Sequence, residues 1–140
     1  VTRLFEENKH LTRRVRALEE IAARVEAEDL IVEATTNGAG ARVVSRIYDE
    51  RDAESLKRLA LALINHPQTI ALLGSRDGDA ARLVFARSAD ASGDMNALLC
   101  EACAMLEGRG GGRPDMAQGG GRAVEKLEAA LESAALKMST

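Results

Sequence analysis

The stretch Glu107–Arg122 reads EGRGGGRPDMAQGGGR, seven glycines and a proline between two segments of helical apolar spacing. Glycine at this density fits either a mobile spacer or a shaped backbone feature that a ligand, a partner or a neighbouring strand can approach closely. Met116, Ala117 and Gln118 stand between the glycine triplets. A pure spacer has no use for an apolar methionine, so a folded glycine loop over 108–121 is expected. Arg109, Arg113 and Arg122 place fixed positive charge beside Asp115, a combination suited to planar or phosphate-like groups.

The rest of the chain bounds what surrounds that loop. Its 140 residues fit one domain with an appended helix, and 46% hydrophobic content supplies a core. Aromatics make up 2%, so that core is aliphatic. A net charge of -3 excludes a generally basic nucleic-acid-binding surface but leaves room for a local patch. Two cysteines, no signal peptide and no apolar run near membrane-spanning length point to a cytoplasmic protein with no membrane partner. A start in mid-pattern at Val1, without an initiating Met, reads as a piece of something longer.

Upstream, Val1, Asn8, Val15 and Ala22 recur every seven residues, with Leu4, Leu11, Leu18 and Val25 three further on. These are a and d positions of a heptad run, so residues 1–28 are expected to form a coiled-coil-like helix. Its dimerisation stripe is Leu4, Asn8, Leu11, Val15, Leu18 and Val25. The same stripe also fits packing on the chain's own domain or on a neighbouring helix of a parent protein. Arg13, Arg14 and Arg16 read as a solvated face that can touch a polyanion.

Residues 29–140 are expected to be the globular part. Leu30–Thr36 and Arg42–Tyr48 read as strands around the Asn37–Gly40 turn, and Asp52–Asn65 as a helix stopped by Pro67. Thr69–Gly74 and Ala80–Arg87 read as a second strand pair, Met95–Leu106 and Val124–Met138 as helices. A strand–helix–strand crossover joins the pairs. The fold class is α/β: a mixed four-stranded sheet covered by helices, preceded by the long N-terminal helix, with strand order left open.

Candidate chemistry is sparse. Cys100 and Cys103 lie within a predicted helix with no further thiols or adjacent histidine, and read as buried small hydrophobes. His10 and His66 have no evident acidic partner; Asp77 and Asp79 shape a turn, and Asp90, Ser92 and Asp94 a helix start. No catalytic triad, metal cluster or Walker-type loop assembles, so neither catalytic residue, metal nor cofactor is expected.

The run Gly108–Gly121, GRGGGRPDMAQGGG, with Ser92, Gly93, Asp94 and Met95 upstream, resembles the DHHA1 family, found at the C-terminus of alanyl-tRNA synthetase, in alanyl-tRNA editing proteins and in DHH-type phosphoesterases. The strand IALLGSRDG followed by LVFARSAD is similar to that family's central hairpin, and the likeness spans nearly the whole chain. It implies a domain that performs neither alanine activation nor deacylation, helps hold tRNA, and links parts of the parent enzyme. In the phosphoesterases the glycine motif resembles a substrate-phosphate clamp, and the metal-binding residues lie in a domain outside this sequence. By position, Arg109, Gly110, Gly111, Gly112 and Arg113 form the contact turn, Asp115 braces it, and Gly119, Gly120, Gly121 and Arg122 complete its far side. The amides leading into the helix after Arg122 are a natural place for a phosphate.

Three functions follow: a non-catalytic tRNA-binding and assembly domain of an alanyl-tRNA synthetase or editing protein, the substrate-binding half of a DHH-type phosphoesterase, or a structural dimerisation module. With only Phe5, Tyr48 and Phe85 to stack on bases, an RNA contact is expected to be to backbone and shape and to weaken with salt.

Overall fold

A computed structural model describes residues 2–138, with side chains from Asn8 onward. The elements in order are α1 (Thr2–Glu33), β1 (Thr35–Thr36), β2 (Arg42–Asp49), α2 (Ala53–Ile64), β3 (Thr69–Asp77), β4 (Ala80–Arg87), α3 (Met95–Met105), β5 (Arg109–Arg113), β6 (Met116–Gly121), a 3-10 turn (Val124–Lys126) and α4 (Leu127–Met138). The strands form one mixed sheet in the order β1-β2-β3-β4-β6-β5. The α2 crossover makes β2 and β3 parallel, and every other pair is antiparallel.

Both faces of the central strands are buried, so β3 is apolar without alternation, as a strand covered on both sides must be. On one face Ile70, Leu72, Leu83 and Phe85 pack under Met95, Leu99, Leu106 and Leu127 of the α3–α4 layer. On the other, Val44, Leu73 and Val84 pack under Leu56, Leu59 and Leu63 of α2, joined by Ala23 and Ala27 of α1. Asp52 caps α2 by accepting from Ser55 N at 2.8 Å, which ties off one free amide of its first turn.

Arg51 fastens α1 to this body. Its guanidinium donates to both Glu26 oxygens at 2.9 Å, and to Ser55 Oγ at 2.8 Å, and lies 4.6 Å from the centroid of the Tyr48 ring. Its hydrogen bonds hold the Glu26 carboxyl below its ordinary range. Burial, and then the Glu26 charge, push the Tyr48 phenol up to about 12.

Three expectations need correction. The sheet has six strands, not four. The Leu30–Thr36 strand is mostly helix: α1 continues to Glu33 because Ala23, Ala27, Leu30 and Ile31 keep a helical spacing against the body, while Val32 stays 85% exposed. Its β-branched pair Ile31–Val32 is a weak local preference that this packing overrides.

The third concerns the glycine segment, which is an antiparallel hairpin inside the sheet and not a loop. Absent side chains let it slide beneath α3. A Cβ on Gly119 would stand 2.5 Å from Gly110 Cα and 2.9 Å from Cys103 Sγ, and one on Gly110 would stand 2.9 Å from Leu99 Cδ2. Glycine is disfavoured in strands on propensity, so the need for close approach decides the structure here.

Candidate nucleic-acid interface

Strand register decides which hairpin side chains share a face, since alternate residues point to opposite sides. Gly110, Gly112, Ala117, Gly119 and Gly121 fall on the α3 side, where Ala117 joins the core beneath α3 and α4. Arg109, Gly111, Arg113, Met116, Gln118 and Gly120 fall on the α2 side. There α2 covers the central strands, Met116 reaches the edge of its core, and the outer hairpin extends past it.

One row across the sheet runs Tyr48, Ser75, Arg82, Gly120, Arg109. Arg82 of β4 thus stands on the same face as Arg109, with only a glycine between them. Arg113 sits at the other end of β5, opposite Met116. The outcome is a bare glycine position, Gly111, between guanidinium groups at both ends of β5, with Gln118 of β6 beside it. Arg109 and Arg113 are exposed. Asp115 lies 3.6 Å from Arg113 Nε and Glu107 lies 3.8 Å from Arg122 Nε, both loose, solvent-facing pairs. Asp77 holds Arg82 at 3.0 Å, and among the described residues Arg109 has no acidic partner.

The backbone amides are differently disposed from the expected cradle. Those of β6 lie in ladder pairing between β4 and β5; in the edge strand β5, Gly112 N donates to Asn96 Oδ1 at 3.0 Å, and Cys100 Sγ donates to Gly110 O at 3.4 Å. After Arg122 the chain makes a 3-10 turn, and Ala123 N donates to Leu106 O at 2.9 Å. Arg109, Gly110, Gly111, Gly112, Arg113, Asp115, Gly119, Gly120, Gly121 and Arg122 are therefore brought together in one hairpin, with the glycine triplets split between two faces. Arg82 and Asn96 were not legible as neighbours of this surface. Only cross-strand register and the path of α3 bring them there.

The other predicted positions divide. Leu11, Val15, Leu18 and Val25 are 56%, 51%, 64% and 54% exposed, so the apolar stripe does not pack on the chain's own domain. Asn8 is exposed too, and the Leu4 side chain lies outside the described residues. Cys103 is buried as expected, with its thiol pushed up by burial, but Cys100 is exposed. Among the described residues no group of three or more His, Cys, Asp or Glu is placed to hold a metal ion. No described helix is long and apolar enough to cross a membrane.

Comparison with known proteins gives this geometry a family. The DHHA1 domain matches residues 36–140. The alanine–tRNA ligase of Saccharophagus degradans is 36% identical over 136 residues, which cover 95% of this chain and 15% of the ligase. That of Leptospira interrogans serogroup Icterohaemorrhagiae serovar copenhageni is 36% identical over 110 residues, covering 74% of this chain and 11% of the ligase. The chain thus spans a small part of the length of the relatives it matches. The crystal structure of the C-Ala domain from Aquifex aeolicus alanyl-tRNA synthetase superposes with a TM-score of 0.68 at 27% identity, covering 76% of this chain and 96% of that one. In sequence and in fold, the chain belongs to the DHHA1 domain family and is homologous to the C-Ala domain of alanyl-tRNA synthetase.

Proposed function

We propose that this chain is the non-catalytic tRNA-binding and assembly domain of an alanyl-tRNA synthetase or a related editing protein. The observation that carries the reading is the side-chain-free strand between Arg109 and Arg113, on the part of the sheet face beyond α2 and in one row with Arg82. A strand without Cβ atoms between Arg109 and Arg113 lets a sugar–phosphate backbone lie close, and planar guanidinium groups at its ends suit phosphate oxygens. Because the β6 amides are in ladder pairing and Gly112 N is held by Asn96, charge recognition falls to the arginines. The family's relatives named above are tRNA ligases, which favours this reading over a phosphoesterase half-site.

The test is fluorescence anisotropy with folded tRNA and with a duplex RNA of matched charge, from 50 to 200 mM salt. Replacing Arg109 and Arg113 together with alanine is expected to lower the salt slope by about 2 and to abolish any preference for tRNA. An unchanged preference refutes the reading.

The assembly role is supported by the exposed stripe of Leu11, Val15, Leu18 and Val25, an unpartnered heptad seam on a helix already folded. It assigns the apolar stripe of residues 1–28 to contact with a second copy or the rest of a parent enzyme, and the hairpin of residues 29–140 to RNA. Sedimentation of the wild type as a dimer, and of the Leu11→Ser, Leu18→Ser variant as a monomer, is the expected result.

A further inference from the structure

Between Asn8 and Leu18 the sequence holds Lys9, Arg13, Arg14 and Arg16 and no acidic residue, in a chain whose net charge is -3. All four are exposed. At 3.6 residues per turn, Lys9, Arg13 and Arg16 align in one stripe, which continues through Glu20 to Ala23 and Ala27. Those two alanines are buried against the α2 layer. The basic stripe is therefore on the side of α1 that faces the domain, and the apolar seam of Leu11, Val15 and Leu18 is on the opposite side.

The direction of the overhang follows from two ion pairs. Glu26 meets Arg51 at 2.9 Å and Glu19 meets Arg58 at 3.0 Å, so α1 runs antiparallel to α2. Its first half extends toward the α2 C-terminus. That is the end of the sheet where Arg87 N donates to Asp115 O at 2.9 Å, the end that carries the Pro114–Asp115 hairpin turn and Arg113. The part of α1 before Glu19, residues 2–18, is about 25 Å long at 1.5 Å per residue.

We infer that the Lys9–Arg13–Arg16 stripe is a second contact for the phosphate backbone of an RNA, separate from the hairpin and independent of RNA sequence. Three observations select this partner. The stripe gathers three exposed cations within two helical turns, with no acidic residue between Asn8 and Leu18, a local positive patch on an otherwise acidic chain. Between Asn8 and Leu18 the sequence has no Phe, Tyr or Trp to stack on a base, so the contact is to phosphates. The stripe faces the side where α2 and the sheet stand, so a broad flat membrane meets the domain first, whereas a rod-like nucleic acid fits the angle between helix and domain. The apolar seam opposite stays free for a second copy of the chain. The inference rests on the nucleic-acid reading above for the class of ligand, and its site is distinct from the hairpin.

The experiment uses the full chain with Lys9→Ala, Arg13→Ala and Arg16→Ala combined, alanine being the strongest helix former at exposed positions. Anisotropy is read with tRNA and with the charge-matched duplex, and circular dichroism verifies that helix content is retained. Loss of three phosphate contacts is expected to shrink the affinity ratio between 50 and 200 mM salt by about 20- to 40-fold, equally for both RNAs. An unchanged ratio overturns the inference, as does wild-type binding to phosphatidylserine vesicles with no binding to either RNA. Should the Arg109→Ala, Arg113→Ala variant keep full tRNA preference while the helix variant loses salt dependence, the hairpin reading fails and the helix contact stands.

Discussion

Gly119→Ala and Gly111→Ala are the same chemical change in paired strands of one hairpin, and the structure assigns them unequal costs. A methyl on Gly119 meets backbone on two sides, Gly110 Cα at 2.5 Å and Arg109 O at 2.6 Å, as well as Cys103 Sγ at 2.9 Å. The two strands must separate or α3 must lift, and overpacking of this kind costs about 1–3 kcal/mol. A methyl on Gly111 meets only Asn96 Oδ1, at 3.2 Å, and that side chain needs to give by only a few tenths of an ångström, while still accepting from Gly112 N. Alanine is also less costly than glycine to order in a strand, so the net change there is expected within about 0.5 kcal/mol of zero. At about 3–4 °C per kcal/mol for a domain of this size, Gly119→Ala lowers Tm by about 3–12 °C and Gly111→Ala by less than about 2 °C. Circular dichroism at 222 nm is the suitable probe, since the chain has no Trp and one Tyr. Equal melting temperatures for the two variants refute the argument that close packing beneath α3 explains the glycines.

Two further outcomes follow from charge and exposure. Glu26 has its carboxyl pKa lowered in the folded state, chiefly by Arg51, so its contribution is present above the ordinary value of 4.5 and is lost as pH falls through the folded value. With Glu26 partly exposed, Glu26→Gln is expected to cost about 1 kcal/mol at pH 7 and to leave a melting curve that changes less between pH 7 and pH 4 than the wild type; parallel pH dependences count against the Arg51 clasp. A maleimide is expected to modify Cys100 in the native protein and Cys103 only on unfolding, which mass spectrometry reads as one adduct against two. Two native adducts at equal rates contradict the placement of Cys103 beneath the hairpin.

How far the sequence could be read depended on where the deciding interaction lay. Helix α2, the β3–β4 pair and the crossover between parallel strands were legible because local apolar spacing, Asp52 and Pro67 all agree with the tertiary structure. The end of α1 was misplaced because Ile31 and Val32 look like a strand in isolation, and only the packing of Ala27 and Leu30 keeps them helical. The glycine hairpin was legible as a site but not as two strands. Its strand character arises from α3 above it and from β4 beside it, contacts that cross tens of residues and leave no periodicity in RGGGR. The same holds for Arg82, whose place in the row with Arg109 depends on pairing between β4 and β6.

Strand β5 ends the sheet order, and five of the ten residues in its pairing with β6 carry no side chain with which to repel another chain. Open edges of this kind invite pairing with further strands, and proteins commonly guard them with charges or coverage. Here the guard is supplied by helix α3: Asn96 occupies the outward amide of Gly112 and Cys100 the outward carbonyl of Gly110. Keeping the domain from assembling edge to edge therefore depends on the first turns of α3 staying folded, and a variant that loosens them exposes a nearly bare strand to self-association before the core itself is lost.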